Sequence, residues 1–279
     1  MKQFTLELLF HLFGISAASG LVYNEDQIHV ITDDSSYFYH HDLTNNLFTK
    51  TPLTTYDYGQ ELIAKSEKPD YEAITYSDEF YYIFGSGSTD KRINLVEVHR
   101  LTNEVSNIKE LDILYESMKS FANINNDNFN IEGVIYNDDT WYFFNRGNGD
   151  LHQNGIFIVT GESIIDNFKI TYFPIKLPKI NKVQSSFTDA VKVDNYIYFL
   201  AAAEDEQSNY KDGEIKGSLI GRINPQKMKV EKTKVISDTH KFEGITLYKN
   251  NESEIQFLLC EDPDNPIGQT GIYQLTIKK

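Results

Sequence analysis

The stretch Lys241–Tyr248, KFEGITLY, sets a glutamate and a glycine directly in front of a β-type run, ITLY. A carboxylate beside a buried strand is costly unless something compensates it, so the pair asks for a reason. Laid over the rest of the chain, the pattern returns as DYEAITYS from Asp70, NIEGVIYN from Asn130, FTDAVKVD from Phe187 and AASGLVYN from Ala17. The polar residues brought into line are Ser19, Glu72, Glu132, Asp189 and Glu243, spaced 53, 60, 57 and 54 residues apart. Five such units account for almost the whole of the 279 residues.

The residues after each copy repeat as well. A polar turn such as Asn24-Glu25-Asp26 or Asn137-Asp138-Asp139 leads into a second β-rich run: IHVIT, FYYIF, WYFF, YIYFL or IQFLL. Two such runs joined by a short Asn/Asp turn predict a hairpin. Third strands are expected over Tyr37–Asp42, Asn94–Arg100, Gly155–Thr160, Gly217–Ile223 and Gly271–Ile277, with a weaker fourth in the first four units, for example Phe168–Ile175 and Met228–Ile236. Four strands per unit, repeated radially, describe an all-β, five-bladed β-propeller with four-stranded antiparallel blades. No linker breaks the composition, so residues 1–279 read as one propeller domain. The Asp112–Asn123 segment predicts a short helix between blades two and three, and Asp57–Pro69 a loop or helical turn.

The N-terminus reads two ways. Lys2, the apolar stretch Leu8–Ile15 and the small residues Ser16-Ala17-Ala18 imitate a secretory signal, which Glu7 and His11 interrupt. The fifth unit, however, stops after its third strand at QLTIKK. An N-terminal strand over Lys2–Leu12, docked beside Gly271–Ile277, closes that blade and covers its open edge. A cytoplasmic protein is expected on the second reading, and a periplasmic or secreted one on the first.

A formal net charge of −15 excludes general affinity for nucleic-acid phosphates or anionic lipid and is compatible with cation binding. The single cysteine, Cys260, permits no intrachain disulfide and reads as a buried structural thiol. No apolar run reaches the length of a membrane-spanning helix. A monomer without nucleic-acid or membrane partners, acting on a small anionic substrate, is the expectation.

First strands line a propeller's channel, so Ser19, Glu72, Glu132, Asp189 and Glu243 are expected to converge on its mouth. Carboxylates so close cannot all stay ionised without a counter-charge, from protons or from a metal. Oxygen-only ligands in an irregular ring suit Ca2+. The small residues next in line, Gly20, Ala73, Gly133, Ala190 and Gly244, let backbones crowd near the axis. The rim is expected from the loops after the second strands: Asp33-Asp34-Ser35, Gly85-Ser86-Gly87-Ser88, Asn145-Arg146-Gly147-Asn148, Glu204-Asp205-Glu206 and Glu261-Asp262-Pro263-Asp264. Arg146 stands there as a lone cation among acids, able to bind phosphate or carboxylate or to pair with a neighbouring acid. GSGS matches no complete phosphate loop. The seven histidines form no nucleophile triad and no zinc spacing.

The order Ser, Glu, Glu, short oxygen ligand, Glu at the heads of five first strands resembles the calcium-activated nucleotidase (apyrase) family. More broadly, the pattern resembles bacterial propeller proteins of the phytase-like and esterase-like kind. The nucleotidase resemblance implies a five-bladed propeller with axial calcium on Ser19, Glu72, Glu132, Asp189 and Glu243, where Asp189 replaces an expected serine. Asp33-Asp34 matches an acidic pair after the first hairpin and Arg146 a basic position after the third, whereas the arginine due after the pair is Ser35. The first functional expectation is metal-assisted hydrolysis of a phosphate ester or nucleotide, with Arg146 stabilising charge and Asp33, Asp34 or Glu204 positioning water. The alternatives are a non-catalytic propeller whose axial calcium ties the blades while the rim binds a glycan, peptide or protein, and a lactonase or esterase using a metal at the same mouth.

Overall fold

A computed structural model of the chain describes residues 3–54, 59–147, 151–205, 213–263 and 268–279; the rim residues Asn148, Glu206 and Asp264 lie outside them. From the N-terminus, β1 (Phe4–Phe13) precedes blade 1, formed by β2 (Ala18–Asn24), β3 (Gln27–Thr32), β4 (Tyr37–Asp42) and β5 (Leu47–Pro52). Blade 2 comprises β6 (Tyr71–Tyr76), β7 (Phe80–Gly85), β8 (Asn94–His99) and β9 (Val105–Glu110). Helix α1 (Asp112–Ala122) leads to blade 3, with β10 (Ile131–Asn137), β11 (Thr140–Asn145), β12 (Gly155–Ser163) and β13 (Asn167–Pro174). A two-stranded ribbon, β14 (Lys179–Ile180) and β15 (Val183–Gln184), precedes blade 4: β16 (Ser186–Val193), β17 (Tyr196–Asp205), β18 (Glu214–Asn224) and β19 (Lys229–Ser237). Blade 5 contributes β20 (Phe242–Asn250), β21 (Glu254–Glu261) and β22 (Gln269–Lys278).

Each sheet is antiparallel, and its strands pair in chain order. The fifth is completed as expected, by β1 lying against β22 from Phe4↔Ile277 to Phe13↔Gln269. Turn chemistry sets the hairpins. Asn24 faces Gln27 across Glu25 and Asp26, and Asn137 faces Thr140 across Asp138 and Asp139, with all four turn residues at positive φ. Two successive positive φ values match the right-handed twist of the flanking strands, and short acidic or amide side chains tolerate them. The ribbon β14–β15, where Asn181 and Lys182 make the turn, has no counterpart among the described residues of the other units.

Apolar layers lie between neighbouring blades all the way round. Phe38 and Ile31 meet Ile83 and Tyr81 between blades 1 and 2, and Phe84 meets Phe143 and Phe157 between blades 2 and 3, where Leu114, Tyr115 and Met118 of α1 join them. Phe144 packs on Phe187 and Phe199 between blades 3 and 4, Leu200 on Phe257 and Leu259 between 4 and 5, and Leu258, Ile272 and the fully buried Cys260 on Leu21 and Val30 between 5 and 1. A buried polar chain runs between blades 1 and 2: His29 Nδ1 lies 2.8 Å from His40 Nδ1, and His29 Nε2 lies 2.9 Å from the Tyr81 hydroxyl of β7. Burial depresses both imidazoles, His29 to about 3 and His40 to about 4. Among the described residues no helix is long and apolar enough to cross a membrane.

Candidate functional site at the channel mouth

First strands of neighbouring blades touch around the axis. A Cβ on Gly244 would lie 2.9 Å from Gly20 Cα and 2.7 Å from Cys260 Sγ, so only glycine allows blades 5 and 1 to close there. In every blade the pairing of first and second strands skips one residue, a β-bulge that re-aims a side chain. The bulged residues are Ser19, Glu72, Glu132 and Glu243 in blades 1, 2, 3 and 5. In blade 4 the skipped residue is Thr188, because Phe187 pairs with Ala201 and Asp189 with Leu200. The fourth position of the ring is therefore a hydroxyl, and Asp189 stands one step along, where the other blades have Gly20, Ala73, Gly133 and Gly244. Hydrogen bonding agrees: Ser19 Oγ donates to the Tyr71 carbonyl of the next blade at 2.5 Å, and Thr188 Oγ1 donates likewise to the Phe242 carbonyl at 2.7 Å.

Asp189 faces backbone. Its Oδ1 accepts from Ala190 N at 2.7 Å and its Oδ2 from Ile245 N at 2.8 Å, which ties blade 4 to blade 5. Burial pushes its carboxyl up, and these two amides pull it back.

A second layer sits above the bulges. After the second strands, Asp33, Ser86, Arg146 and Asp262 donate their N–H to the carbonyls of Ala17, Asp70, Asn130 and Lys241, each of which lies two residues before the bulged position. In blades 3 and 5 this neighbour offers a donor to the acid: Asn130 Nδ2 reaches Glu132 Oε1 at 2.5 Å, and Lys241 Nζ lies 3.0 Å from Glu243 Oε1. In blade 2 it is another carboxylate, Asp70. Oxygen atoms of Asp33, Asp70 and Glu72 lie within 4.8 Å of one another.

Cations thread this layer, so Arg146 is not the lone positive group that the sequence suggested. It lies 3.3 Å from Glu132, 3.1 Å from Glu204 and 4.0 Å from Glu243. Lys241 Nζ lies 3.2 Å from Glu204 and 3.3 Å from Asp262. Lys68 pairs with Asp33 and, at 2.8 Å, with Asp70, which Arg92 also holds at 2.9 Å. Among the described residues, the carboxylates of Asp33, Asp70, Glu72, Glu132, Glu204, Glu243 and Asp262 thus meet the four cations Lys68, Arg92, Arg146 and Lys241, an excess of negative charge.

The excess shows in protonation. Burial pushes Glu72 well above the usual carboxylate range, and Glu132, Asp70 and Asp33 push it further. Burial raises Glu132 to about 8 against the pull of Arg146, and Asp33 to about 6 against that of Lys68. Glu204 goes the other way: burial disfavours its charge, but Arg146 and Lys241 hold it at about 2.

These groups enclose an axial cavity of about 40 Å3, lined by Ser19, Asp33, Glu72, Glu132, Arg146, Lys241, Glu243 and Asp262 with Ala17 and Ala18. Of the sequence-expected residues, Asp189, Glu204 and Asp34 do not line it; Asp34 accepts from Ser16 Oγ at 2.8 Å. The sequence reading passed over Lys241, Asp70 and Asn130, although each stands inside the repeated pattern two places before its acid, and over Lys68 and Arg92; Asp262 lies in a rim loop that it expected. A hard cation fits the donor set. All lining donors are oxygens apart from the two cations, Asp33 Oδ1 is buried without a hydrogen bond, and Glu72 accepts none among the described residues.

A family model described as a family of unknown function, DUF6929, matches residues 14–277. No curated protein matches the chain in sequence. Among solved structures, glutaminyl cyclase of Myxococcus xanthus is similar at 10% identity and a TM-score of 0.53, over 98% of this chain and 97% of that one. A luciferin-regenerating enzyme is similar at 8% identity and 0.52, over 98% and 95%. A bifunctional GH43-CE protein of Bacteroides eggerthii is similar at 11% and 0.57, over 94% of this chain and 33% of that one. At such identities the likeness is one of fold.

Proposed function

The chain belongs to the family of unknown function DUF6929, and we propose that its channel mouth holds a hard divalent cation, calcium by its donor chemistry, beside fixed cations that receive a small anionic substrate. One observation carries this reading. Where Glu132 and Glu243 have Asn130 and Lys241 as donors, Glu72 has the carboxylates of Asp70 and Asp33. A divalent ion there offsets most of the uncompensated charge. Glu72, Asp33 and Asp70 with Ser19, Glu132 and Glu243 hold it, and Asp189, engaged by two amides, stands outside the set.

Calcium, when bound, polarises a phosphoryl oxygen. Arg146 and Lys241 face the same cavity and bind anionic oxygens of the substrate. A space of about 40 Å3 admits an ion with a water or a phosphoryl oxygen, since one water occupies roughly 30 Å3 in the liquid. The body of a phosphate ester or nucleotide therefore rests on the rim above. Asp33 faces the cation side and fixes water there. Glu204, held anionic between Arg146 and Lys241, orients those two cations and does not accept a proton near neutral pH. The reaction that these groups support best is metal-assisted hydrolysis of a phosphate ester or anhydride.

Thermal unfolding with calcium, magnesium or a chelator tests the ion site, and a screen of nucleoside diphosphates, phytate and lactones with and without chelator tests the chemistry. Calcium-dependent stabilisation that Glu72→Gln abolishes, with chelator-sensitive phosphate release, is the expected result. Stabilisation without turnover leaves a purely structural ion, and no stabilisation removes the proposal.

A further inference from the structure

We propose that Lys68 is a tethered counter-ion, an ammonium that occupies the acidic side of the channel mouth until a divalent cation displaces it, and that it thereby sets which ions the site accepts; the inference rests on the ion reading above. Lys68 Nζ pairs with Asp33 Oδ2 and lies 2.8 Å from Asp70 Oδ1. These two acids and Glu72 are the carboxylates whose oxygens lie within 4.8 Å of one another. Burial disfavours charge on the ammonium, but Asp70, Asp33 and Glu72 together outweigh it, and the amine stays protonated. One chain-borne cation thus serves the same acids that a metal would.

The lysine is delivered from outside the repeat, by the segment between β5 and β6. There Ile63 N donates to the Asp34 carbonyl at 2.7 Å and Lys68 N to the Ala64 carbonyl at 3.0 Å, which sets the backbone beside the rim loop of blade 1. Arg92 fastens the same segment, donating to the Lys65 carbonyl at 2.8 Å and to Asp70 Oδ2 at 2.9 Å. With the backbone pinned, the flexible four-carbon stem is the part that moves when the ammonium leaves.

The carboxylate oxygens decide what an entering ion meets. Asp70 Oδ2 is taken twice, by Arg92 and by Ser86 Oγ, which donates to it at 2.5 Å. Asp70 therefore ligates an ion through Oδ1, the atom that Lys68 holds. Asp33 keeps one oxygen open, since Lys68 takes Oδ2 while Oδ1 is buried without a hydrogen bond. Calcium bonds oxygen at about 2.3–2.6 Å, so an ion sharing Asp70 Oδ1 with Lys68 would stand within about 5 Å of a like charge. The side chains of Lys68 and Asp70 are only 12% and 5% exposed, which leaves that repulsion poorly screened. A divalent ion wins the exchange, because it brings twice the charge to three carboxylates. Sodium or potassium brings no more charge than the ammonium and has to displace a group that the chain already holds in place. Lys68 accordingly excludes monovalent ions and lowers the affinity for calcium.

Two measurements on the full chain test this. Calorimetric titration and melting with calcium, sodium and potassium chloride compare the wild type with Lys68→Met, which keeps an unbranched stem and removes the charge; Lys68→Gln repeats them should Lys68→Met not fold. The variant is expected to bind calcium about 10- to 100-fold more tightly and to gain a stabilisation by sodium or potassium that the wild type lacks. A lysine that merely props Asp33 and Asp70 gives the opposite result, weaker calcium binding on its removal. Deleting any nearby positive charge favours a cation, so the second measurement follows the amine itself in the wild type, by acetylation with acetic anhydride and peptide mass spectrometry in calcium and in chelator. Lys68 is expected to label severalfold faster in calcium, while the exposed Lys227 labels equally in both. A Lys68 that labels no faster in calcium, or variants that bind calcium no more tightly, overturn the inference and leave the ion reading standing. Calcium binding by neither the wild type nor the variants defeats the ion reading, and this one with it.

Discussion

The inner strands of blades 2 and 4 carry carboxylates one register step apart, and that step reverses what each carboxylate does. Glu72 occupies the bulge and faces the axis with no donor of its own among the described residues; Asp189 stands one place past the bulge and folds onto the amides of Ala190 and Ile245. Aspartate is also one methylene shorter. A structural repeat fixes where backbones run, whereas a single skipped residue decides whether an acid meets other acids or meets N–H groups. On the reading proposed above, the first carboxylate calls for an outside cation, whereas the second ties two blades together through backbone amides.

The harshest way to probe the contrast is Asp189→Ala. It strands two buried N–H groups, each costing about 1–3 kcal/mol, so a loss of about 2–6 kcal/mol is expected, equal with and without calcium. Denaturant unfolding under both conditions measures it. A loss that calcium offsets would return Asp189 to the ion.

The pH dependence separates the mouth from blade 1. Asp33 and Glu132, raised to about 6 and about 8, keep protons that the unfolded chain has shed, so their contribution to stability falls as pH rises from their ordinary values of 3.8 and 4.5 through those raised ones. His29 and His40 act in the opposite sense. Depressed to about 3 and about 4, they contribute fully above the ordinary 6.5 and lose that contribution as pH falls toward those values. Stability without calcium should therefore peak near about pH 6 and drop by ~2 kcal/mol toward about pH 8. Saturating calcium should flatten the alkaline limb and leave the acid limb alone. Urea melts across this range, with and without the ion, decide the matter.

What the sequence disclosed and what it withheld divide along the same line. Hairpin turns, alternation and the unit length mark the blades, because each depends on neighbours within a few residues. The truncated fifth unit likewise leaves an edge that β1 fills. The blade 4 register is different. Sequence spacing put Asp189 in line with the glutamates, although setting Phe187 under Phe242, two fully buried rings, shifts the unit by one and puts Thr188 there. Apolar residues anchor a register more firmly than acids do, since a one-residue slip turns them to the wrong face. Lys241, Asp70 and Asn130 were visible in the repeated pattern, but their roles depend on contacts between layers. Lys68 and Arg92 come from outside the pattern altogether.

Glu72→Gln isolates the uncompensated member of the pair. Without calcium the variant should be more stable than the wild type by about 1–2 kcal/mol, because a half-buried carboxylate among like charges is replaced by a neutral amide. With calcium the order should reverse as the ion-dependent gain disappears. Calorimetric titration and melting on the same samples register both halves. A variant less stable in chelator than the wild type would mean that Glu72 already has its counter-charge from the chain.

The gentlest test concerns the register itself. If Thr188 is the blade 4 counterpart of Ser19, their hydroxyls do the same work, each donating to a carbonyl of the next blade. Ser19→Ala and Thr188→Ala should then each cost about 1 kcal/mol in the absence of calcium. They should part company only when the ion is added, since Ser19 lines the cavity and Thr188 does not. The Ser19 variant alone should bind calcium more weakly. Equal weakening in both would place Thr188 among the ligands and close the ring at five, while no loss of stability in either would mean that these inter-blade hydroxyl bonds do not distinguish the two strands.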